Sequence, residues 1–124
     1  MTPTYRNGKI CYIEIPATDI DRSAEFYHRA FGWSLRKHGD GTVAFDDTVN
    51  QVSGMWVLGR PASTVPGIVV SVMVADIAAA CQAITDAGGE IVLSPDLEAQ
   101  TVFAHFRDPA GNVLGIYQHS GSWE

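Results

Sequence analysis

Apolar and polar positions alternate along short runs of this chain, and two of these runs are each followed by a helical pattern. The run from Tyr12 alternates with the period of two that strands show, and the stretch after Asp19 returns to apolar residues at helical spacing. Asp19 is placed to cap the N-terminus of this predicted helix, and Gly32 is placed to end it. The apolar stripe of the helix consists of Ala24, Tyr27 and Phe31.

The same order of elements returns 57 positions later in the chain. Val69 stands 57 places after Tyr12, and Asp76 stands 57 places after Asp19, again where a helix N-cap is expected. The apolar stripe of this second predicted helix consists of Ala80, Ile84 and Ala87. At the end of each half, a shift of 61 places matches further pairs: Asp47 with Asp108, Gly54 with Gly115, and Trp56 with Tyr117. Such self-similarity indicates an internal structural repeat.

Between each predicted helix and the last strand of its half, the pattern predicts two further short strands. They are about Ser34–His38 and Val43–Asp46 in the first half, and about Glu90–Leu93 and Val102–Phe106 in the second. The predicted fold class is therefore α+β, with two βαβββ repeats at about 9–59 and 68–119, joined by a linker at 60–67. A chain of 124 residues supports one core, so 1–124 is expected to form a single domain whose curled mixed sheet surrounds a shared cleft.

The charge and the length of the apolar runs exclude some partners. The net charge of −6 argues against a nucleic-acid partner, because nucleic-acid binding needs clustered Lys and Arg. No apolar run is long enough for a membrane-spanning helix, and the N-terminal segment lacks the apolar centre of a signal peptide. We therefore expect a cytoplasmic protein that binds neither nucleic acid nor membrane.

Two longer segments carry a resemblance to a known family. With YIEIPATDIDRSAEFYHRAFGW from Tyr12 and FRDPAGNVLGIYQ from Phe106, the chain resembles the vicinal oxygen chelate superfamily. That superfamily includes glyoxalase I, extradiol dioxygenases and bleomycin-resistance proteins. The resemblance covers nearly the whole chain, and it implies the βαβββ fold and a homodimer. In metal-dependent members, His or Glu ligands come from four cleft positions, which by resemblance fall here on Tyr12, Gly54, Val69 and Gly115.

The residues at these four positions do not provide a divalent metal site. A catalytic metal ion usually takes three or more imidazole, carboxylate or thiolate ligands, and valine and glycine supply none. Tyrosine is a poor ligand near neutral pH because its reference pKa is about 10. The sequence therefore predicts no metal and no cofactor. Glu14 and His105 remain the candidate catalytic residues, either as an acid–base pair or as relocated ligands.

Residues two places from a cleft position face the same way along a strand, which extends the predicted cleft. The candidate ligand-binding residues are Tyr12, Glu14, Gly54, Trp56, Val69, Ser71, Met73, Gly115 and Tyr117. This set is mostly apolar and aromatic with a few polar groups, which is the usual composition of a small-molecule pocket. The missing side chains at Gly54 and Gly115 predict space at its centre, which either neighbouring aromatic side chains or a ligand or water must fill.

Three functional hypotheses follow from these patterns. The leading one is a metal-free, non-enzymatic protein of this superfamily that binds a small apolar, aromatic or cationic ligand in the cleft. The first alternative is a lyase, isomerase or dioxygenase that uses relocated metal ligands or a Glu14/His105 acid–base site. The second alternative is a non-catalytic interaction subunit.

Overall fold

The order of helices and strands repeats once along the chain. The computed structural model describes residues 2–121, and within them each half has the order βαβββ. The first half comprises β1 (Tyr12–Pro16), α1 (Ile20–Phe31), β2 (Ser34–Lys37), β3 (Val43–Asp46) and β4 (Ser53–Val57). The second comprises β5 (Ser71–Val74), α2 (Ile77–Asp86), β6 (Glu90–Leu93), β7 (Phe103–Arg107) and β8 (Val113–Gln118). The predicted repeat is confirmed.

Both helices begin at the aspartates that the sequence pattern indicated. The carboxylate of Asp19 accepts a hydrogen bond from the N–H of Arg22 at 3.1 Å, and that of Asp76 accepts one from the N–H of Ala79 at 3.1 Å. These bonds satisfy N–H groups that have no partner within the first turn of a helix. Helix α1 ends at Gly32, whose φ of 76° lies in the left-handed region that glycine enters without steric cost.

Each half contributes its own four-stranded sheet. Sheet A has the strand order β1-β4-β3-β2, and sheet B has the order β5-β8-β7-β6. In both sheets the first pair is parallel and the other pairs are antiparallel, so both sheets are mixed. The α+β class is therefore confirmed, and in the described part of the chain the strands form two separate sheets that do not close into one.

A single hydrophobic core joins the two halves. Phe26 and Phe31 of α1 reach Phe106 of sheet B, with ring centroids 5.9 and 5.6 Å apart. An aromatic stack continues from Tyr27 to Trp33 at 4.8 Å, from Trp33 to Phe45 at 4.5 Å, and from Phe45 to Trp56 at 4.9 Å. Each such pair contributes about 0.5–1.5 kcal/mol beyond the area that it buries. The helices and one face of each sheet are therefore held in one packed unit.

A buried polar network lies beside this core, in the turn between β7 and β8. The hydroxyl of Tyr27 donates to a carboxylate oxygen of Asp108 at 2.7 Å, and the side-chain amide of Asn112 donates to the same carboxylate at 2.9 Å. The backbone N–H groups of Ala110 and Asn112 also donate to Asp108, at 3.0 and 2.9 Å. Buried charges are tolerated when they are hydrogen bonded in this way. Burial, and then the charge of Asp108 and its hydrogen bond, raise the pKa of Tyr27 well above its ordinary value.

Neither helix within residues 2–121 is long and apolar enough to cross a membrane.

Candidate functional site

The strands that carry most of the predicted site expose different faces. In β8, Leu114 and Ile116 are buried in the core, so Gly115 and Tyr117 lie on the opposite, outer face of sheet B. In β4, Trp56 is buried in the core, and Gly54, two places before it, lies on the same inner face. The outer face of β4 therefore carries Met55.

The expected cleft-facing position of Gly54 is wrong. A side chain added at Gly54 would collide with the carbonyl oxygen of Ile13 and with the ring of Phe45. The ring of Phe45 already occupies the place where that side chain would lie. Gly54 is therefore needed for close packing of the core and leaves no space in a cleft.

The expected cleft-facing position of Trp56 is also wrong. Its side chain is only 1% exposed, and its ring lies 4.9 Å from Phe45 and 5.8 Å from Tyr27. Among the described residues, its indole N–H has no hydrogen-bond partner. Trp56 is a core residue, and unlike Tyr117 it does not lie on an outer face.

A single extra residue in one turn explains both errors. Ile15 of β1 lies beside Trp56, and Val72 of β5 lies beside Ile116, so the last strands correspond with a shift of 60 and not 61. The turn before β4 closes with a hydrogen bond from Asp47 N–H to Val52 O, whereas the turn before β8 closes one residue sooner, from Asp108 N–H to Asn112 O. A slip of one residue moves every side chain of a strand to the other face. The structural counterpart of Gly115 is therefore Met55.

The outer face of sheet A is polar. Asp46 accepts two hydrogen bonds from Arg36, at 2.9 and 3.1 Å, and one from the hydroxyl of Ser53 at 2.6 Å. The bond from Ser53 and then those from Arg36 lower the pKa of Asp46. Tyr12 is paired in register with Ser53, and Glu14 with Met55. This face therefore carries the ion pair of Arg36 and Asp46 beside an exposed tyrosine.

Glu14 does not meet the condition for a general base. Its carboxylate lies 3.0 Å from Nη1 of Arg60, and its side chain is 45% exposed. A general base must be free to accept the proton that it takes, and this carboxylate is already paired with a guanidinium. His105 lies in sheet B, where its ring contacts Phe103 at a centroid distance of 5.8 Å. Glu14 and His105 thus lie in different sheets of the chain and contact different partners.

The outer face of sheet B is apolar and aromatic across β5, β8 and the start of β7, and the ion pair of Arg107 and Glu90 lies toward β6. Tyr117 is paired in register with Met73 on one side and with Phe103 on the other, which forms a row across three strands. The next row contains Ser71, Gly115 and His105. Met73 is 57% exposed and Phe103 is 44% exposed. We call the surface of Met73, Phe103, His105, Gly115 and Tyr117 the apolar outer face.

Phe103 is the member of the apolar outer face that sequence reasoning missed. It stands two places before His105 in β7, so strand alternation puts both side chains on one face. The facing of β7 could not be assigned from the sequence, because Ala104 and Phe106 present an equally apolar alternate set. The structure decides between them, since Ala104 and Phe106 are buried in the core.

Gly115 lies on the outer face of sheet B, but neighbouring side chains use the space above it. A Cβ added at Gly115 would lie 2.5 Å from Oγ of Ser71 and 3.2 Å from Cγ1 of Val69. Ser71 and Val69 therefore close over the glycine from the neighbouring strand. The central space predicted from a pair of glycines is filled, by Phe45 at Gly54 and by these two residues at Gly115.

The residues present do not fit the metal site that the resemblance implies. With the corrected correspondence, its four positions are Tyr12, Met55, Val69 and Gly115, which include no imidazole and no carboxylate. Within residues 2–121, no group of three or more His, Cys, Asp or Glu side chains is arranged to hold a metal ion. Metal catalysis of the usual kind requires such donors. We therefore derive no reaction step through a metal at this site.

Comparison with known proteins identifies the family. A family model described as the Glyoxalase/Bleomycin resistance protein/Dioxygenase superfamily matches residues 9–116. A glyoxylase-like domain-containing protein of Didymella fabae is 31% identical over 134 residues, covering 93% of this chain and 97% of that protein.

Solved structures share the fold at lower identity. A hypothetical protein from S. aureus has a TM-score of 0.72 at 16% identity, with 93% of this chain and 96% of that chain covered. The antibiotic binding protein TnmS3 from Streptomyces sp. CB03234 has a TM-score of 0.69 at 22% identity, with 94% and 100% covered. Together with the family match, these similarities establish that the chain belongs to the glyoxalase/bleomycin resistance protein/dioxygenase superfamily.

Proposed function

We propose that this protein binds a small apolar or aromatic molecule without metal and without catalysing a reaction. The observation that carries this proposal is the row of Met73, Tyr117 and Phe103 across three strands of sheet B. Exposed apolar patches on a folded protein indicate interaction sites, and aromatic side chains stack on flat ligands. His105 and the hydroxyl of Tyr117 provide the few polar groups that orient a ligand in such a site.

The relatives support the kind of function. TnmS3, which shares the fold, is an antibiotic binding protein, so the same architecture holds a small molecule in another protein. The His or Glu side chains that coordinate the metal in metal-using relatives are missing here from all four corresponding positions. Sequestration or sensing of a ligand needs only binding, and the apolar outer face is suited to binding alone.

The proposal includes a homodimer, because the apolar outer face is open in a single chain. A small-molecule site usually buries about 70–90% of the surface of its ligand. Met73 and Phe103 are too exposed to do this alone. In the proposed dimer, a second copy covers the face and completes the site.

We also propose a cytoplasmic location, because Cys11 and Cys81 are free thiols and a reducing compartment preserves thiols.

A thermal-shift screen tests this function. Purified protein is heated with a panel of apolar, aromatic and cationic compounds and with divalent metal salts, and the midpoint of unfolding is followed. We expect at least one aromatic compound to raise the midpoint, because a ligand of the folded state stabilises it. Phe103→Ala and Tyr117→Ala should each weaken that compound about tenfold, as for central aromatic contacts.

The matched control for this screen is Tyr5→Ala, which removes an aromatic ring that is exposed outside the sheets. It should leave the affinity unchanged. The proposal is abandoned if no organic compound raises the midpoint, or if the compounds that do so bind Phe103→Ala and Tyr117→Ala as tightly as the parent. A divalent metal that binds one to one would overturn its metal-free part.

A further inference from the structure

A second concavity lies at the seam between the two halves, away from the apolar outer face. It is a groove of about 140 Å³ between β1, the linker and the start of β8. Its walls are apolar and include Ile13, Ile15, Ile68, Val70 and Leu114, and the carboxylate-bearing Glu14 also lines it. We call it the seam groove. None of its lining residues belongs to the row of Met73, Tyr117 and Phe103.

The walls of the seam groove are fixed by a buried amide. Asn112 is 1% exposed; its Nδ2 donates to the carbonyl oxygen of Pro16 in β1 at 2.7 Å, and its Oδ1 accepts from the N–H of Ser63 at 2.8 Å. The N–H of Val113 donates in turn to the carbonyl oxygen of Ser63 at 2.9 Å. The same side chain thus holds β1 and the linker at a set distance. A site whose walls are held before binding loses less entropy when a ligand enters.

Of the residues that line the groove, Glu14 carries a charge, and a carboxylate favours a cation. Cys11 and Ala17, which flank β1, form backbone hydrogen bonds with β4. By alternation, the N–H and C=O groups of Glu14 point away from β4, to the free edge of sheet A. The carboxylate of Glu14 is paired with Arg60 across 3.0 Å, with both side chains about half exposed at 45% and 52%. Exposed ion pairs of this kind contribute only about 0–1 kcal/mol. Another cation can therefore replace the guanidinium of Arg60.

We propose that the seam groove binds a small organic cation, with an amine or guanidinium group on Glu14 and an apolar chain along Ile13, Ile68 and Val70. Arg60 takes the place of that cation in the free protein and moves aside when the ligand binds. The net charge of −6 adds a general attraction for cations. This site does not depend on the function proposed for the apolar outer face, because it uses other residues and another chemistry.

A titration followed by amide NMR tests the seam groove. The probe is n-butylguanidinium, with 1-pentanol and pentanoate as neutral and anionic counterparts of similar length. We expect n-butylguanidinium to shift the amide signals of Glu14, Ile68 and Val70 with saturation, and the two counterparts to bind at least about tenfold more weakly. The signals of Phe103 and Tyr117 should not move, which separates this site from the apolar outer face.

Two substitutions with opposite expected effects complete the test. Glu14→Gln should weaken n-butylguanidinium about tenfold because it removes the charge, and Arg60→Ala should strengthen it severalfold because it removes the competing guanidinium. Glu98→Gln, at an exposed carboxylate outside the groove, is the matched control and should have no effect. Unchanged binding in Glu14→Gln, or weaker binding in Arg60→Ala, overturns the proposal.

Discussion

Gly54 and Gly115 stand near the middle of corresponding strands, yet each is required by different surroundings. Gly54 faces the core, where the backbone of Ile13 and the ring of Phe45 leave no volume for a side chain. Gly115 faces outward, where the first obstacle is the hydroxyl of Ser71, the end of a side chain that can rotate. The cost of adding one methyl group therefore depends on what can move at each position.

This difference predicts opposite outcomes for two similar substitutions. Gly54→Ala should lower the free energy of unfolding by about 1–3 kcal/mol, because the strand and Phe45 must shift to accept the methyl group. Gly115→Ala should change it by less than about 1 kcal/mol, because Ser71 can change rotamer. Urea denaturation of the two variants measures both values. Equal losses at the two positions would contradict the assignment of the faces.

Tyr27 gives a pH-dependent prediction. Burial first, and then the neighbouring Asp108, raise its pKa in the folded state well above the ordinary 10.0. In the unfolded chain the phenol ionises near its ordinary pKa, so above about pH 10 the unfolded state binds fewer protons than the folded state. The stabilisation from neutral Tyr27 is thus fully present below pH 10 and is lost as the pH rises toward the folded pKa.

Tyr27→Phe separates this effect from other alkaline changes. The variant should be less stable than the parent by about 1.5–3 kcal/mol near pH 8, since it loses a hydrogen bond to a buried carboxylate. The difference should shrink between pH 10 and 11, because only the parent loses the contribution of Tyr27. Burial also raises the pKa of Cys81, which adds an alkaline loss that both proteins share. A stability difference that is constant across this range would contradict the role given to Tyr27.

At the scale of helices and strands, the sequence predicts the elements well. It predicts less well which side chains of a strand point into the core and which lie on the outer face. Local signals predict where elements begin and end: the N-cap aspartates, the apolar helix stripes and the turns. The strands that begin at Ser34 and Glu90 therefore agree with the prediction. The facing of β4 depends on the number of residues in the preceding turn, where the match of Asp47 with Asp108 hides one extra residue. Strand alternation carries that error to Gly54 and Trp56, which pack against Phe45 in the core.

The turn between β7 and β8 ties three elements together through Asn112. Asn112→Ala removes the bonds to Pro16 and Ser63 and leaves their polar groups without these partners. We expect a loss of about 1–3 kcal/mol in stability and faster hydrogen exchange at the amides of Ser63 and Val113. Gln100→Ala, at an exposed loop position, is the control. If exchange at Ser63 and Val113 is unchanged in Asn112→Ala, this amide does not hold the linker.

The outer face of sheet A is polar, whereas that of sheet B is apolar around Met73, Phe103 and Tyr117. The proposed homodimer covers the apolar one, so a charge placed there should prevent association. Phe103→Glu should sediment as a monomer, whereas Leu97→Glu, a charge at an exposed apolar loop residue, should sediment as the parent does. Sedimentation velocity at several concentrations measures this. A parent protein that is monomeric throughout would remove the dimer from the proposal.

The bond between Asn112 and Pro16 has a consequence for how the chain folds. It joins residues 96 positions apart, and the bond between Tyr27 and Asp108 joins residues 81 positions apart. Neither half can complete its core or satisfy these buried groups before the other half is in place, so the two repeats should fold as one cooperative unit. Contacts between residues so distant in sequence are also slow to form. The repeat thus duplicates a structural unit without giving either copy an independent folding transition, and amides in β3 and β7 should exchange with the same free energy of opening.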